Sequence, residues 1–181
     1  MSMYPISSIN ANSGTITSFD FTSIPSNFNH LQLRCFIRAS LSQSSPYDLV
    51  ITVNGANPTT FAYSALRGDG FSASATSAIS DNVFRITTAV PTGSHIANMF
   101  GLVIIDILDY ANTNKNKTVK ALFGWDNGGG SSPSAGWTGL AHSTWFDTSV
   151  INRLNVGTFG NFAQFSRVDL YGISTSGMTG T

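Results

Sequence analysis

Two aspartates in one short stretch raise the question of catalysis. Residues 104–124 read IIDILDYANTNKNKTVKALFG and contain Asp106 and Asp109, three residues apart, followed by three lysines. A carboxylate pair beside basic groups is the composition of an acid–base site. However, side chains alternate between the two faces of a strand, so residues three apart point in opposite directions. The two carboxylates therefore cannot act as a pair within one strand.

The same stretch is better explained as a hairpin. Asp109 ends the first apolar segment, and residues 112–116 have the Asn-rich composition of a turn. We expect Lys115, Lys117 and Lys120 to lie on the turn and on the solvent side of the returning strand. A hairpin with a solvated tip accounts for all of these residues, and it is favoured over a catalytic cluster.

A second candidate region, Gly124–Phe146, carries all three tryptophans together with amide, imidazole and acid side chains. Sugar rings stack on aromatic faces while their hydroxyl groups need polar partners, so such a segment is typical of a glycan-binding platform. The candidate residues for contact with a glycan or a protein partner are Trp137, His142, Asp126 and Asn127.

Two of the three tryptophans have a simpler explanation. Trp125 and Trp145 fall on alternating strands, and we expect both to be core residues. Trp137 lies in a Gly/Ser-rich segment, SAGWTG, where an exposed anchor and an ordinary buried residue are equally consistent with the sequence. An exposed anchor there would serve a protein partner as well as a glycan.

The sequence lacks the local motifs of common catalytic and cofactor sites. It has no G-x-S-x-G nucleophile motif and no G-x-x-x-x-G-K-[ST] phosphate loop, and its WDNGGG segment has too few aspartates for a calcium loop. Three scattered histidines and one cysteine disfavour zinc. The acidic residues are all aspartate, which disfavours a glycoside hydrolase. We therefore expect no enzymatic activity, no catalytic residue, no metal and no cofactor.

The composition disfavours partners that are recognised by charge. Charged residues make up 10% of the 181 residues, and the formal net charge is zero; a typical chain has ~25%. Such a chain has little long-range field to attract nucleic acid or an anionic membrane. No signal segment and no membrane-length apolar run is visible, so we expect folding in a cytoplasm. Cys35, in an apolar alternation, is expected to be a core residue.

Alternating apolar and polar residues predict an all-β chain. Segments of period two, separated by Gly, Pro, Asn and Ser, recur at the spacing typical of a sandwich or barrel. We find no long amphipathic helix and no internal repeat. The predicted strands number about eight to ten and fall within residues 15–21, 30–39, 48–54, 61–66, 82–88, 101–110, 117–126, 138–147, 150–157 and 166–174.

The pattern predicts one domain with two extensions. Residues 15–174 form the predicted domain, which is long enough to bury a substantial core. Residues 1–14 are predicted to be an extended polar N-terminal arm suited to docking, and residues 175–181 to be a flexible tail. Residues 70–80 and 128–136, rich in small residues, are predicted to be loops.

Three stretches, taken in order, resemble small structural proteins of tailed bacteriophages. They are residues 24–40 (IPSNFNHLQLRCFIRAS), residues 104–124 with a DY–N–NK–KT turn between two strands, and residues 166–174 (SRVDLYGIS). Such proteins occur as capsid decoration, or cement, proteins and as domains of tail-fibre-like proteins. The resemblance covers about residues 15–174 and carries no catalytic motif.

The resemblance implies a jelly-roll-like antiparallel β-sandwich, often presented as a homotrimer. It implies a non-enzymatic virion protein that binds the major capsid protein on the outer surface of the head and stabilises the shell. The lack of a fibrous stem, heptad or repeat favours the head over a fibre. The alternative is a receptor-binding tail-fibre or tail-tip domain that recognises host surface glycan. In both cases the chain would be made in the host cytoplasm and end in the virion.

Overall fold

The chain folds as an antiparallel β-sandwich in the computed structural model, which describes residues 1–55, 60–128 and 135–175. Every regular element in these residues is a strand, which confirms the predicted all-β class. The twelve strands of the described residues are β1 (Ser2–Asn10), β2 (Ile16–Phe21), β3 (His30–Ile37), β4 (Tyr47–Val53), β5 (Phe61–Gly68), β6 (Ala73–Asp81), β7 (Phe84–Val90), β8 (Gly101–Leu108), β9 (Lys117–Asp126), β10 (Gly136–Trp145), β11 (Leu154–Phe162) and β12 (Arg167–Ser174).

Two sheets of unequal size pack face to face. The large sheet has eight strands in the order β1-β12-β3-β8-β9-β10-β5-β6, and the small sheet has four in the order β2-β11-β4-β7. The chain crosses between the sheets repeatedly, so strands that are far apart in sequence become neighbours, such as β2 and β11 or β3 and β12. The large sheet therefore extends beyond the small sheet. The small sheet covers only part of its inner face.

The core lies between the sheets and follows from the period-two pattern. Inward side chains of β3, β8 and β12 meet inward side chains of β4 and β11, and the residues between them point outward. The Phe61 and Phe84 rings, one from each sheet, meet edge-on with centroids 4.7 Å apart. Cys35 is fully buried, as predicted, and burial, reinforced by the charge of Asp169, raises the pKa of its thiol.

Residues 70–80, predicted to be a loop, contain most of a strand. β6 is the edge strand of the large sheet and pairs with β5 from Gly68↔Ala73 to Phe61↔Asp81. Its residues, ASATSAISD, are small or polar except for Ile79, which is 84% exposed, and all of them stay exposed or half-buried. No apolar alternation marks this strand, because neither of its faces is buried against the core.

The segment 1–14, predicted to be an arm, is extended but is not separate from the sandwich. Residues 2–10 form β1, the other edge of the large sheet, paired with β12. Ile6 and Ile9 pack against the core, and Ala11 is buried. The predicted boundary at residue 15 is therefore corrected, because the first strand begins at Ser2.

Two further predictions fall partly outside the described residues. Of the predicted loop 128–136, residues 129–134 lie outside them, and Gly136 begins β10. Of the predicted tail 175–181, only Thr175 is described, and its backbone N–H donates to Asn29 Oδ1 at 2.8 Å. The described residues contain no helix long and apolar enough to cross a membrane.

Candidate functional site

The two aspartates of the stretch 104–124 have separate surroundings. β8 and β9 form the predicted hairpin, and Asp106 lies on the outer face of the large sheet, where its Oδ1 accepts a hydrogen bond from Gln32 Nε2 at 2.8 Å. Asp109 follows β8 with a φ of 51° and accepts from Lys115 Nζ at 2.8 Å. That hydrogen bond and the lysine charge lower the pKa of Asp109. The stretch is a hairpin and holds no acid–base pair.

Lys117, which was predicted to face solvent, is fully buried. Its Nζ donates to the carbonyl oxygens of Asn112 at 2.6 Å, Lys115 at 2.9 Å and Thr148 at 3.0 Å. Burial lowers the pKa of this ammonium group. The prediction for this lysine is wrong because the residue lies at an inward position of β9, two residues before the buried Val119. The buried cation holds the β8–β9 turn against the segment that follows β10.

Trp125 and Trp145 belong to the core, as expected. Trp125 is 8% exposed, and its Nε1 donates to the Thr88 carbonyl oxygen at 2.9 Å. Trp145 is 3% exposed and stacks on Phe61 with ring centroids 5.9 Å apart. Neither ring is exposed enough to act as an anchor, although Trp125 borders the cleft at the end of β9.

Trp137 lies in a strand and not in a loop. It stands opposite Trp125 in the β9–β10 ladder and is half-buried against the core. The Arg67 guanidinium lies over the indole ring, 5.1 Å from its centroid. The Trp137 Nε1 is buried and has no hydrogen-bond partner in the described part of the chain. The indole is therefore partly covered by the core and by Arg67. It is less exposed than an anchor residue in a loop would be.

Asp126 and Asn127 use their side chains to shape the end of β9. Asp126 Oδ1 accepts from the Gly128 N–H at 2.8 Å, and Asn127 Oδ1 accepts from the Ile96 N–H at 2.8 Å. Together with the β5–β6 turn, this strand end borders an open cleft of about 650 Å³. Its walls include Asp69, Phe71, Asp126 and Trp137. Aromatic and carboxylate groups thus meet at one end of the sandwich.

His142, the fourth candidate residue, lies elsewhere. It is five residues beyond Trp137 on β10, which is about 17 Å along a strand. It is exposed on the outer face of the large sheet, opposite Lys120 of β9 and Ser64 of β5. The four predicted contact residues therefore do not form one site.

The outer face of the large sheet carries an apolar row that the sequence reading missed. Ile104 of β8 stands opposite Leu122 of β9, and Leu122 stands opposite Leu140 of β10. Leu140 in turn stands opposite Leu66 of β5, which stands opposite Ala75 of β6. One continuous row of apolar side chains therefore crosses five strands.

These side chains are open to solvent. Leu66 is 56% exposed, Leu122 52% and Leu140 46%. At the same face, Phe36 is 47% exposed and stacks on Phe100 with centroids 4.8 Å apart, beside Leu102, which is 50% exposed. Isolated apolar residues are common on protein surfaces, but a contiguous patch marks an interaction site.

The signal for this face was present in the sequence. The strand GLVIIDIL has apolar residues at both inward and outward positions, and KALFG adds Leu122 between the inward Ala121 and Phe123. A strand that is apolar on both faces is expected to be covered on both faces. The sequence-based prediction drew no conclusion from these outward leucines.

The outer face of the small sheet is different in character. Its outward positions carry mostly hydroxyl, amide and charged groups, with Val50 and Phe159, which is 59% exposed, as the apolar exceptions. Asp20, Asn155 and Thr52 stand side by side across β2, β11 and β4. The outer face of the small sheet is therefore mainly polar, whereas that of the large sheet carries a continuous apolar row among charged and polar residues.

The described residues contain no group of three or more His, Cys, Asp or Glu side chains that could hold a metal ion. The comparisons with family models, with curated proteins and with solved structures each found no significant match.

Proposed function

We propose that this chain is a non-enzymatic bacteriophage virion protein, a capsid decoration protein that binds the outer surface of the head and stabilises the shell. The observation that carries the proposal is that three separate phage-like stretches come together as neighbouring strands of the large sheet. The two outer faces of the sandwich also differ. The polar face of the small sheet suits solvent, whereas the row from Ile104 to Ala75 gives the large sheet an apolar face suited to contact with protein.

The positions of the phage-like stretches support this proposal. Residues 24–40 contain β3, residues 104–124 contain most of β8 and β9, and residues 166–174 contain β12. These strands are consecutive in the large sheet, in the order β12-β3-β8-β9. Stretches that are separate in sequence thus form one continuous part of the sheet, including part of its apolar outer face.

The strand order also supports a jelly-roll assignment. A jelly roll arranges eight strands in two sheets. Here β2, β11, β4 and β7 would be one four-stranded layer, and β3, β8, β5 and β6 the other, with the β9–β10 hairpin inserted between β8 and β5. β1 and β12 would then be additions to the edge at β3. The proposed assembly is a homotrimer bound to the major capsid protein.

The charge content suits a shell protein. With equal numbers of acidic and basic residues, nine of each, the surface has no dominant sign. Such a surface stays soluble through its hydroxyl and amide groups and does not attract unrelated polyanions. Repetition on a symmetric shell allows weak contacts to act together.

Immunogold electron microscopy of the parent virion, with an antibody to this chain, tests the proposal. A decoration protein gives dense label over the head and a copy number in proportion to the capsid subunits. Label at the tail tip alone, or a few copies per particle, would replace it with the receptor-binding role. No label on the particle would reject both.

The receptor-binding alternative is favoured by one observation, the cleft at the end of β9 and β10. Phe71 is 65% exposed at its edge, and the carboxylates of Asp69 and Asp126 lie in its wall. Phe71→Ala is the sharper probe of this cleft, because Trp137 is partly committed to packing. Under this alternative the variant loses adsorption to host cells while the melting temperature stays unchanged. Normal adsorption of the variant argues for the decoration role.

A further inference from the structure

We propose that the outer face of the large sheet is covered by a second copy of this chain, so that the protein self-associates face to face. The contact would centre on Leu66, Leu122 and Leu140, which we call the leucine ridge. This inference goes beyond binding to a capsid, because it assigns the apolar face to a contact between copies. Capsid binding would then use other parts of the surface, and the face-to-face pair would replace the homotrimer of the proposed function.

The relief of the face fits a copy of itself. On one side of the leucine ridge lies a groove of about 780 Å³, bordered by Leu108, Lys120 and His142. On the other side lies a smaller hollow of about 300 Å³, bordered by Ala73 and Gly139. Leu66 and Leu140 border both. A face that presents a ridge beside a hollow can place its ridge in the hollow of a two-fold-related copy, as an isologous contact requires.

The charges of the face also fit a copy of itself. Asp106 of β8 stands opposite Lys120 of β9, and Arg34 of β3 stands opposite Asp169 of β12. Both signs are therefore present near the ridge. A second copy presents the same mixture and can match each sign with its opposite, whereas a partner of one sign would meet a like charge.

The available area is sufficient for a stable contact. The strands of the large sheet contain eight to ten residues each. With neighbouring strands ~4.8 Å apart and ~3.4 Å per residue, the face measures about 34 Å by about 30 Å, or roughly 1,000 Å². A specific interface buries about 800 Å² on each partner. The large sheet can provide that area without any contribution from loops.

Light scattering coupled to size-exclusion chromatography tests the proposal with a matched pair of variants. Leu122→Asp places a carboxylate in the leucine ridge, where the side chain is half exposed in the single chain and the substitution leaves the core intact. Thr52→Asp places the same carboxylate on the outer face of the small sheet. We expect wild type and Thr52→Asp to elute above the 19.2 kDa of one chain. We expect Leu122→Asp to raise the dissociation constant by about 100-fold and to elute as one chain, because burying an unpaired charge is costly.

Cross-linking provides a readout that does not depend on weakening the contact. His142→Cys puts a thiol beside the ridge, and Thr52→Cys puts one on the opposite side of the sandwich. The native thiol, Cys35, is fully buried and does not react in the folded chain. A short bismaleimide should link chains of the His142→Cys variant in pairs and leave the Thr52→Cys variant unlinked.

Three results would overturn the inference. The first is a wild-type chain that remains at 19.2 kDa at high micromolar concentration. The second is a Leu122→Asp variant that is folded by circular dichroism and as associated as wild type. The third is a single-chain wild type whose binding to phage heads is abolished by Leu122→Asp, which would give the face to the capsid. The immunogold result does not depend on the oligomeric state of the free chain, so failure of the self-contact and failure of the decoration role can be told apart.

Discussion

Arg85 of β7 donates from its Nε to Asp81 Oδ2 of β6 at 2.7 Å, and this ion pair joins the edge of the large sheet to the small sheet. Arg85 also reaches Asp48 of β4, with Nη1 and Oδ2 3.2 Å apart. The Asp81 side chain is only 10% exposed. The pair is therefore screened less than a surface ion pair, and it fixes β6, which has few core contacts of its own.

This ion pair predicts a loss of stability in acid. Burial alone raises the pKa of Asp81, but hydrogen bonds from Arg85 and from the Asn82 N–H, with the charge of Arg85, outweigh it and lower the pKa. Because the pKa of Asp81 is lower in the folded chain, its interaction with Arg85 contributes fully to stability at pH values above the pKa of an aspartate in the unfolded chain, ~3.9. This contribution is lost as the pH falls through the lower pKa that Asp81 has in the folded chain. We expect the melting-temperature difference between wild type and Asp81→Asn to shrink between about pH 6 and about pH 2.

The control for that experiment is Asp20→Asn. Asp20 is paired with Arg153 on the small sheet, and both side chains are more than one-third exposed. An exposed pair contributes about 0–1 kcal/mol, so this variant should melt close to wild type. Equal effects of the two substitutions at neutral pH would contradict the role given to Asp81.

Lys117 supports the second prediction. Its ammonium group is fully buried and donates to three carbonyl oxygens, two in the β8–β9 turn and one after β10. Lys117→Met keeps the aliphatic volume but leaves these acceptors without their donor. We expect a loss of about 2–4 kcal/mol in the free energy of unfolding. Denaturant titration followed by tryptophan fluorescence measures it.

Lys115→Met is the matched control for Lys117. Lys115 is in the same turn, but its side chain is 60% exposed and makes a surface ion pair with Asp109. Its substitution should cost less than about 1 kcal/mol. Similar losses for the two variants would mean that the turn is held by charge in general and not by the buried donor.

Arg38 supports the third prediction. The side chain is 8% exposed, and its guanidinium donates to the carbonyl oxygens of Met99 and His95 at 2.9 Å and to those of Gly93 and Ile96. These four acceptors belong to the loop between β7 and β8. Arg38→Lys retains the charge but lacks the planar fork that reaches several acceptors at once. We expect the loop to lose protection from hydrogen exchange in Arg38→Lys, while the strands keep it. Unchanged exchange in residues 92–100 would show that the loop holds its shape without this residue.

Sequence reasoning found the strands whose alternation is produced by the core. β3 was predicted at residues 30–39 and lies at His30–Ile37, because its inward residues are apolar and its outward residues, apart from Phe36, are polar. β6 was missed because it becomes a strand by pairing with β5 at the edge, where its mostly small side chains are not buried and produce no apolar alternation. Information about that pairing is not local to the segment.

The candidate site shows the same limit. The core positions of Trp125 and Trp145 followed from strand alternation, whereas the separation of His142 from Trp137 depends on where β10 begins. The burial of Lys117 could have been found, since it shares the inward parity of Val119 and Ala121. A lysine at such a position contradicts ordinary hydrophobic patterning, and only the carbonyl oxygens around it explain why it is tolerated.

The N-terminal strand supports the last prediction. Tyr4 of β1 stacks on Phe28 with ring centroids 5.9 Å apart, and the whole strand pairs with β12. Removal of residues 1–10 would expose the backbone edge of β12 and uncover apolar side chains beneath Ile6 and Ile9. We expect the deletion to lower the melting temperature by several degrees and to increase aggregation, as seen by differential scanning fluorimetry and light scattering.

The comparison variant for the deletion is Ser8→Ala, which keeps β1 in place and removes only the exposed hydrogen bond from Ser8 Oγ to Asp169 Oδ1. It should melt within about 1 °C of wild type, because an exposed hydrogen bond adds little to stability. If the deletion variant also melts like wild type, β1 is not an integral part of the sheet, and a docking role for residues 1–14 becomes the better interpretation. If the deletion variant melts at a lower temperature than wild type, a loss of binding to phage heads in that variant is explained by its weakened fold. A docking role must then be tested with substitutions at the exposed side chains of β1.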